Sequence, residues 1–302
     1  MWYTLQIFGF RALWSPYFLL LLVLIGLLYY IVTGPERERF GLAKGPTPGQ
    51  YFNFYTGLGL LYLVKGSPID LLSHILFSAH MVQMVVLYFV LPILFIRGIP
   101  KELLEGFLSL PVIRPLFAFF TRPIIALSLF NSMFALYHIP AIFDFSKSSK
   151  LIHLATMTGL FLLAVFMWWP IVTPLKQERR MVPLLKMGYL VVSMFIISIA
   201  CALIIFADEP LFEVYYSGGA WVQALSLCVP TNVMTGLSGS LTSAEMFSPL
   251  TSREDQQLGG ILMMMLQQVI YGYVIARIFF AWFSKKNMQI DPLPKKRDMY
   301  YE

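Results

Sequence analysis

Residues 184–206, LLKMGYLVVSMFIISIACALIIF, are the stretch of sequence that decides the fold. The run contains a single charged residue, Lys186, close to its beginning. A helix of about 20 apolar residues crosses the roughly 30 Å of hydrocarbon in a bilayer. We therefore predict that residues 184–206 form a membrane-spanning helix.

The composition of the whole chain agrees with a membrane protein. Hydrophobic residues make up 58% of the 302 residues and charged residues only 13%, whereas about a quarter of the residues in soluble domains are charged. Six further apolar runs are bounded by charged residues, Pro or Gly. We predict an all-α bundle of seven transmembrane helices, of which the second is the shortest. The predicted spans are 14–33, 51–64, 69–96, 123–143, 151–173, 184–206 and 258–283.

Lys and Arg residues are unevenly divided between the two sides of this bundle. Most of the 22 lie in alternate connecting segments and in the tail 285–302, and cytoplasmic loops carry such an excess. This predicts an N-terminus outside the cell, a membrane domain over 1–284 with a long outer loop at 207–257, and a cytoplasmic tail. The net charge of +6 then indicates contact with anionic lipid rather than nucleic acid, since the basic residues form no single patch.

All four histidines map to the outer third of the predicted bundle. His80 lies in the third span, His138 near the outer end of the fourth and His153 near the start of the fifth. His74 lies about 240° around a continuous third helix from His80, which predicts a packing role for His74. The sequence thus predicts a metal site formed by His80, His138 and His153.

Two methionines add soft donors to this site. Met84 follows His80 by four residues and Met157 follows His153 by four, a spacing that puts each pair on one helix face. Imidazole and thioether together favour copper, especially Cu(I). The alternative for each residue alone stays open, because Met also fills gaps in apolar helices and an intramembrane His can be a hydrogen-bonded packing residue.

Four short elements carry a family resemblance. They are SAHMVQ at 78–83, YHIP at 137–140, WWP at 168–170 at the end of the His153 helix, and DQQLGG at 255–260 before the last span. Their order and spacing from about 68 to 264 resemble the multi-span CtaG family. Members of that family are cytochrome c oxidase assembly factors of bacterial plasma membranes.

The resemblance implies a protein needed to make an active haem-copper oxidase, with delivery of copper to the oxidase catalytic subunit as its role. Many relatives have a second histidine where this chain has Met84 and Met157, which keeps copper plausible and makes zinc or a bis-histidine haem less so. The motif residues carried over by position are His80, Gln83, His138, His153, Asp255, Gln257, Gly259 and Gly260.

Several of these residues have a purely structural alternative. Asp255 could close a helix-capping box with Ser252 or serve as a polar group at the mouth of the site. Gly259 and Gly260 favour close helix packing over ligand contact. The two cysteines, Cys201 and Cys228, could form a disulfide or stay as thiols, and neither is included in the predicted site.

No enzymatic activity is predicted. A Gly-rich phosphate loop, a serine elbow and a carboxylate dyad are all missing from the sequence. The alternatives to copper delivery are a metal-free scaffold for oxidase assembly and a b-type haem redox protein that uses a pair such as His80 and His153. A copper transporter is disfavoured, because the inner halves of the spans are nearly all apolar.

Overall fold

The computed structural model of the chain describes residues 5–175, 181–229, 233 and 247–287, and every regular element in these residues is helical. The all-α prediction is therefore confirmed for the described part. Most of the predicted cytoplasmic tail, from residue 288 onward, lies outside the described residues.

The helices of the described residues have the following bounds. They are α1 (Gly9–Trp14), α2 (Pro16–Thr33), α3 (Pro48–Lys65), α4 (Pro68–Ile75), α5 (Phe77–Val85), α6 (Leu91–Gly98), α7 (Lys101–Leu108), α8 (Ile113–Phe120), α9 (Pro123–Tyr137), α10 (Pro140–Ser146), α11 (Lys150–Val172), α12 (Pro183–Ile205), α13 (Glu213–Tyr216), α14 (Gly218–Leu225) and α15 (Ser252–Asn287). A π-helical turn, Val86–Val90, joins α5 to α6.

Five helical segments of the described chain are long and apolar enough to cross a membrane. Two bent helix pairs, α7 with α8 and α9 with α10, would raise the number to seven if each pair is one span. The protein is thus a multi-pass membrane protein, while the seven-span count and the outside N-terminus stay predictions. The five segments are Gln6–Thr33, Phe77–Gly98, Lys150–Val172, Pro183–Ile205 and Ser252–Ser284.

The predicted third span, 69–96, is broken rather than continuous. Leu76 has extended backbone angles (φ −122°, ψ 132°), so α4 ends before it and α5 begins after it. The helix axis therefore changes between His74 and His80. An angular separation computed for one straight helix does not apply to these two residues.

The predicted fourth span, 123–143, is bent by 86° between α9 and α10. Pro140 lacks an N–H and forces the preceding Ile139 out of the helical region (φ −71°, ψ 127°). His138 consequently lies at the corner, as the residue that ends α9.

Two segments predicted as connections contain helices. The segment 97–122 holds α7 and α8, which meet at 109°. The outer loop 207–257 holds α13 and α14, and α15 begins at Ser252 rather than at residue 258. The second predicted span, 51–64, corresponds to α3, which is not among the five apolar segments of the described chain.

The rod formed by α5, the π-helical turn and α6 lies at the centre of the bundle. α5 packs on α15, α6 packs on α3 and α11, and α12 packs on α9 and α15. Tyr88 in the π-helical turn is fully buried, and its carbonyl accepts a hydrogen bond of 3.0 Å from the indole N–H of Trp168. A π-helical turn shifts the backbone hydrogen-bond pattern, so a side-chain donor at this point helps to satisfy a buried carbonyl.

Candidate functional site

The four imidazoles gather at one end of the bundle, and we call His74, His80, His138 and His153 the histidine cluster. His74 comes from α4, His80 from α5, His138 from the corner after α9, and His153 from the first turn of α11. The rings of His74 and His153 are in contact, and the rings of His80 and His138 contact the same two aromatic side chains, Tyr137 and Phe143. The prediction that the histidines converge at one depth therefore agrees with the fold.

His74 and His153 form the closest imidazole pair. Their ring centroids are 5.4 Å apart with an edge-to-face orientation of 65°. His74 is 3% exposed. The packing role predicted for His74 assumed a straight helix through Leu76, and the break at that residue instead turns the ring toward α11.

His80 and His138 lie around a shared aromatic group. Tyr137 and Phe143 each contact both rings, with His80 to Phe143 at 5.2 Å and His138 to Tyr137 at 5.1 Å between centroids. The Tyr137 hydroxyl is 3.5 Å from His80 Nε2, which is a weak hydrogen bond at most. Aromatic rings thus surround these two imidazoles and exclude water from them.

Three nitrogens of the cluster are buried without a hydrogen-bond partner among the described residues: His74 Nε2, His138 Nε2 and His153 Nδ1. His74 Nδ1 is 2.9 Å from the carbonyl of Asp70, and His138 Nδ1 is 2.8 Å from the carbonyl of Phe134. A carbonyl can only accept, so Nδ1 carries the proton in both rings and Nε2 presents a free lone pair. Metal-binding histidines are commonly oriented by such a second hydrogen bond.

The two predicted thioethers occupy different environments. Met84 is completely buried on α5. Met157 on α11 is also buried, and its Sδ accepts a hydrogen bond of 3.1 Å from the hydroxyl of Tyr88. One turn below His153, Met157 therefore faces the π-helical turn, and a role as a donor would compete with the Tyr88 contact.

Lys147 is the unexpected member of this region, because the sequence indicated only a charged loop residue. Its side chain is 1% exposed, and its Nζ donates to the hydroxyl of Tyr215 (2.7 Å) and to the carbonyl of Ser73 (3.4 Å). The ammonium also lies over the rings of Phe143 and Tyr215, at 5.1 and 4.6 Å from their centroids. Burial, aided by repulsion from Lys65, lowers the pKa of Lys147 to about 7.

Gln83 belongs to a polar network beside the cluster rather than to the cluster itself. Its amide nitrogen donates to the carbonyl of Val64, at the end of α3, and to Asp70 Oδ1 at 2.8 Å. Lys65 pairs with the same carboxylate oxygen at 2.6 Å. Gln83 thus connects α3, α4 and α5, which fixes the helix that carries His74.

Asp255 caps a helix other than its own. Its carboxylate accepts from the backbone N–H of Phe77 (2.6 Å), the N–H of Ser78 (3.4 Å) and the hydroxyl of Ser78. These are otherwise unsatisfied groups at the start of α5. The capping box of α15 itself uses Thr251 and Glu254, one residue earlier than the predicted pair of Ser252 and Asp255.

The rest of the DQQLGG motif joins α15 to the end of α12. The side-chain amides of Gln256 and Gln257 donate to the carbonyls of Ile204 (3.2 Å) and Ile205 (3.1 Å). These carbonyls lie in the last turn of α12, where no intrahelical donor is left. The motif therefore connects two helix ends whose backbone groups lack intrahelical partners, the beginning of α5 and the end of α12.

Gly259 and Gly260 allow this close approach. A Cβ at Gly259 would lie 2.6 Å from the Phe77 ring and 3.1 Å from Ser78 Cα, and one at Gly260 would lie 2.7 Å from Ile205 Cγ1. The helix-packing role favoured from the sequence agrees with these distances.

The cysteines do not form a disulfide. Cys201 is buried and Cys228 is half-buried, and both are free thiols. Burial raises the pKa of the Cys228 thiol to about 12, so it is protonated at neutral pH and is a poor metal donor.

A complete metal site is not formed by these groups alone: within the described part of the chain, no three His, Cys, Asp or Glu side chains are arranged to hold one ion. The cluster can offer the pair His74 and His153, the rings of His80 and His138, and nearby thioethers. Such a set suits a soft ion that accepts few ligands and disfavours a hard ion, which would need carboxylates.

Comparison with known proteins adds one family. No curated protein and no solved structure is significantly similar to the chain. The family model described as cytochrome c oxidase caa3 assembly factor (Caa3_CtaG) matches residues 10–285, which is nearly the whole chain and includes the histidine cluster and the DQQLGG motif. The chain belongs to the cytochrome c oxidase caa3 assembly factor family.

Proposed function

We propose that this protein carries Cu(I) in the membrane and supplies it to the catalytic subunit of the oxidase during assembly. The copper ion is its cargo, and the protein turns over no substrate. The observation that carries the proposal is the set of buried nitrogens at His74, His138 and His153 that have no hydrogen-bond partner among the described residues, two of them on rings in direct contact. Leaving a buried polar atom unpaired costs about 1–3 kcal/mol, and a ligand that pairs with these nitrogens would remove that cost.

The chemistry of the surrounding groups favours Cu(I) over other ions. Neutral imidazoles and the thioethers of Met84 and Met157 are soft donors. The pair of His74 and His153 supports binding by two donors, with His80, His138 or a thioether as a further ligand. Asp70 is held by Lys65 and Gln83, which leaves it poorly placed to attract a hard cation.

Release of the ion requires that α13, which lies over the histidine cluster, moves away. Tyr215 on α13 donates to the carbonyl of Ser73 at 2.9 Å and accepts from Lys147. Asp144 accepts from the N–H groups of Glu213 and Val214 at 3.1 and 3.3 Å. These contacts hold α13 over the histidine cluster, so docking on the oxidase in a bacterial plasma membrane would have to displace α13 before the ion is handed over.

The test is copper retention by the purified protein. The protein in detergent, under reducing conditions, is given one equivalent of Cu(I) and passed through a desalting column. We expect near-stoichiometric copper for the wild type. Most of the copper should be lost in two double variants, one combining His74→Ala with His153→Ala and the other combining His80→Ala with His153→Ala. The control is Met167→Leu, a buried residue near the other end of α11, which should retain copper.

Activity of the oxidase in membranes gives the second readout. With variant protein present at the wild-type level, the proposal expects oxidase activity to fall in both histidine double variants and to be partly restored by added copper. Normal activity together with no copper retention by the wild type would instead identify a metal-free scaffold for assembly. A Soret band in the purified protein would identify a haem protein, although the contact between His74 and His153 leaves no room for a porphyrin between those two rings.

A further inference from the structure

A large cavity lies at the end of the bundle opposite the histidine cluster. Its volume is about 920 Å³, and its walls come from the π-helical turn and α6, the end of α11, the start of α12 and the last part of α15. On α15, Asp255 near the cluster and Arg277 at the cavity are separated by about 33 Å at 1.5 Å per residue. The cavity is therefore a separate site.

Three cations line this cavity: Arg97, Lys186 and Arg277. Among the residues that the structure describes, none of those lining the cavity is acidic. Arg97 and Arg277 line the same cavity from α6 and α15, and neither forms an ion pair within the part of the chain that the structure describes. Two guanidinium groups that line one cavity can be neutralised by an anion that accepts from both, and arginine binds phosphate in a bidentate manner.

The remaining wall is apolar and extends toward the middle of the membrane. It includes Phe89, Ile93, Val269 and Val274. Phe89 lies in the central π-helical turn, about 12 Å along the helix from Arg97. A ligand that fits this shape has a negatively charged head at the arginine end and an apolar tail at the other.

We propose that this arginine cavity, lined by Arg97, Lys186 and Arg277, binds one anionic phospholipid. The phosphate accepts hydrogen bonds from Arg97 and Arg277, and an acyl chain lies along the apolar wall. Free phosphate is a poorer match, because it would leave that wall without a partner. The cavity is at the end of the bundle that the Lys and Arg distribution assigns to the cytoplasm, where anionic lipids attract basic residues.

The experiment counts bound lipid by native mass spectrometry of the whole protein in detergent. We titrate dioleoyl-phosphatidylglycerol, and in parallel dioleoyl-phosphatidylcholine and inorganic phosphate. The wild type should retain one phosphatidylglycerol in preference to phosphatidylcholine. The Arg97→Gln, Arg277→Gln variant should bind it about thirtyfold more weakly, since each of the two basic residues contributes about 1 kcal/mol to contact with anionic lipid.

Two further variants separate the lipid site from general effects. Arg114→Gln, Arg122→Gln removes two exposed cations outside the cavity and should bind like the wild type. Val269→Trp fills the tail region, about 12 Å along α15 from Arg277, without removing a charge and should also weaken binding. Equal retention of the two lipids, unchanged binding by the Arg97→Gln, Arg277→Gln variant or by Val269→Trp, or displacement of phosphatidylglycerol by inorganic phosphate would each overturn the assignment.

Discussion

The histidine cluster and the arginine cavity are the two polar ends of the same bundle, and they differ in how they meet their surroundings. The histidine cluster is largely closed: His80 is 1% exposed and lies against the rings of Phe77 and Phe143, which pack on Tyr215 of α13, while His153 at the edge is half-buried. The arginine cavity is open, and both of its arginines are exposed. A closed site in a dry environment makes each unpaired nitrogen costly, whereas an open one lets its cations reach lipid head groups and water.

The two ends are also held together by different means. The histidine cluster depends on helix breaks at Leu76 and at Ile139, and the first of them is stabilised from another element, by Asp255 on α15. The arginine cavity lies mostly between helical turns of α6, α12 and α15, with the π-helical turn and the end of α11 as further walls. Changes to the supporting contacts should therefore damage the histidine cluster first, and the predictions below test that difference.

Removal of the Asp255 carboxylate should show the difference between the histidine cluster and the arginine cavity most clearly. Asp255→Ala leaves the N–H groups of Phe77 and Ser78 without an acceptor, and we expect a loss of about 2–4 kcal/mol in the free energy of unfolding. Copper retention should fall as well, since the start of α5 positions His80. Thermal unfolding in detergent measures the first effect and the desalting assay the second.

The control for this variant is Asp255→Asn, which keeps one acceptor oxygen. It should recover part of the lost stability. Phosphatidylglycerol binding at the arginine cavity should stay at the wild-type level in both variants. A variant that loses lipid binding and copper together would show that the two ends are not independent.

A bulky residue at Gly259 should disturb the same end by overpacking. Gly259→Val places a Cβ against Phe77 and the backbone of Ser78, and we expect a cost of about 1–3 kcal/mol. The matched change on the same helix is Gly272→Ala, where a Cβ meets nothing within 4 Å. That variant should gain about 0.5–1 kcal/mol from helix propensity. Equal melting temperatures for the two variants would contradict the close contact between α15 and α5.

The sequence predicted the helical class, most long spans and the convergence of the histidines, because apolar periodicity and charge boundaries are local signals. It did not predict the break at Leu76, since SHILFSAH at 73–80 contains neither Pro nor Gly. The signal for that break lies far away, in Asp255. His74 was therefore assigned to packing, although its ring contacts His153.

Burial of Lys147 was equally hidden from sequence reasoning. The residue follows a short helix in a polar stretch, DFSKSSK at 144–150, which is typical of a solvated loop. Its burial results from tertiary contacts with Ser73 on α4 and Tyr215 on α13. By contrast, the bend at Ile139 could have been anticipated from Pro140, which disfavours a helical residue before it.

Lys147 should make the stability of the closed end depend on pH. Its pKa is lowered from 10.5 to about 7 in the folded protein, so above pH 7 the unfolded chain binds a proton that the folded chain does not. The free energy of unfolding should then rise with pH from about 7 toward 10, by at most about 1.4 kcal/mol per unit. Below pH 7 both states are protonated and the full cost of burying the charge applies.

The variant Lys147→Met should remove this slope and be more stable than the wild type at pH 6. The charged or titratable groups around Lys147 that remain in the variant are Lys65, Cys228, Asp70, Asp144, Tyr215, His74, His80 and His153. Urea unfolding at pH 6, 7, 8 and 9 gives the comparison. A wild type and a variant with parallel pH profiles would show that Lys147 titrates near its ordinary pKa.

The smallest effect is expected at the thioethers, and it decides how far the closed end extends into the bundle. Met84→Leu and Met157→Leu conserve volume and should cost less than about 1.5 kcal/mol in stability. If a thioether is a ligand, Cu(I) affinity measured by competition with a chelator should still fall. We expect the larger loss for Met84→Leu, because Met157 Sδ already accepts from Tyr88. Tyr88→Phe removes the hydrogen bond to that sulfur. If Tyr88→Phe raises the Cu(I) affinity and the added change Met157→Leu abolishes the gain, the copper site extends as far as the π-helical turn. Identical affinities in all of these variants would confine the copper donors to the imidazoles.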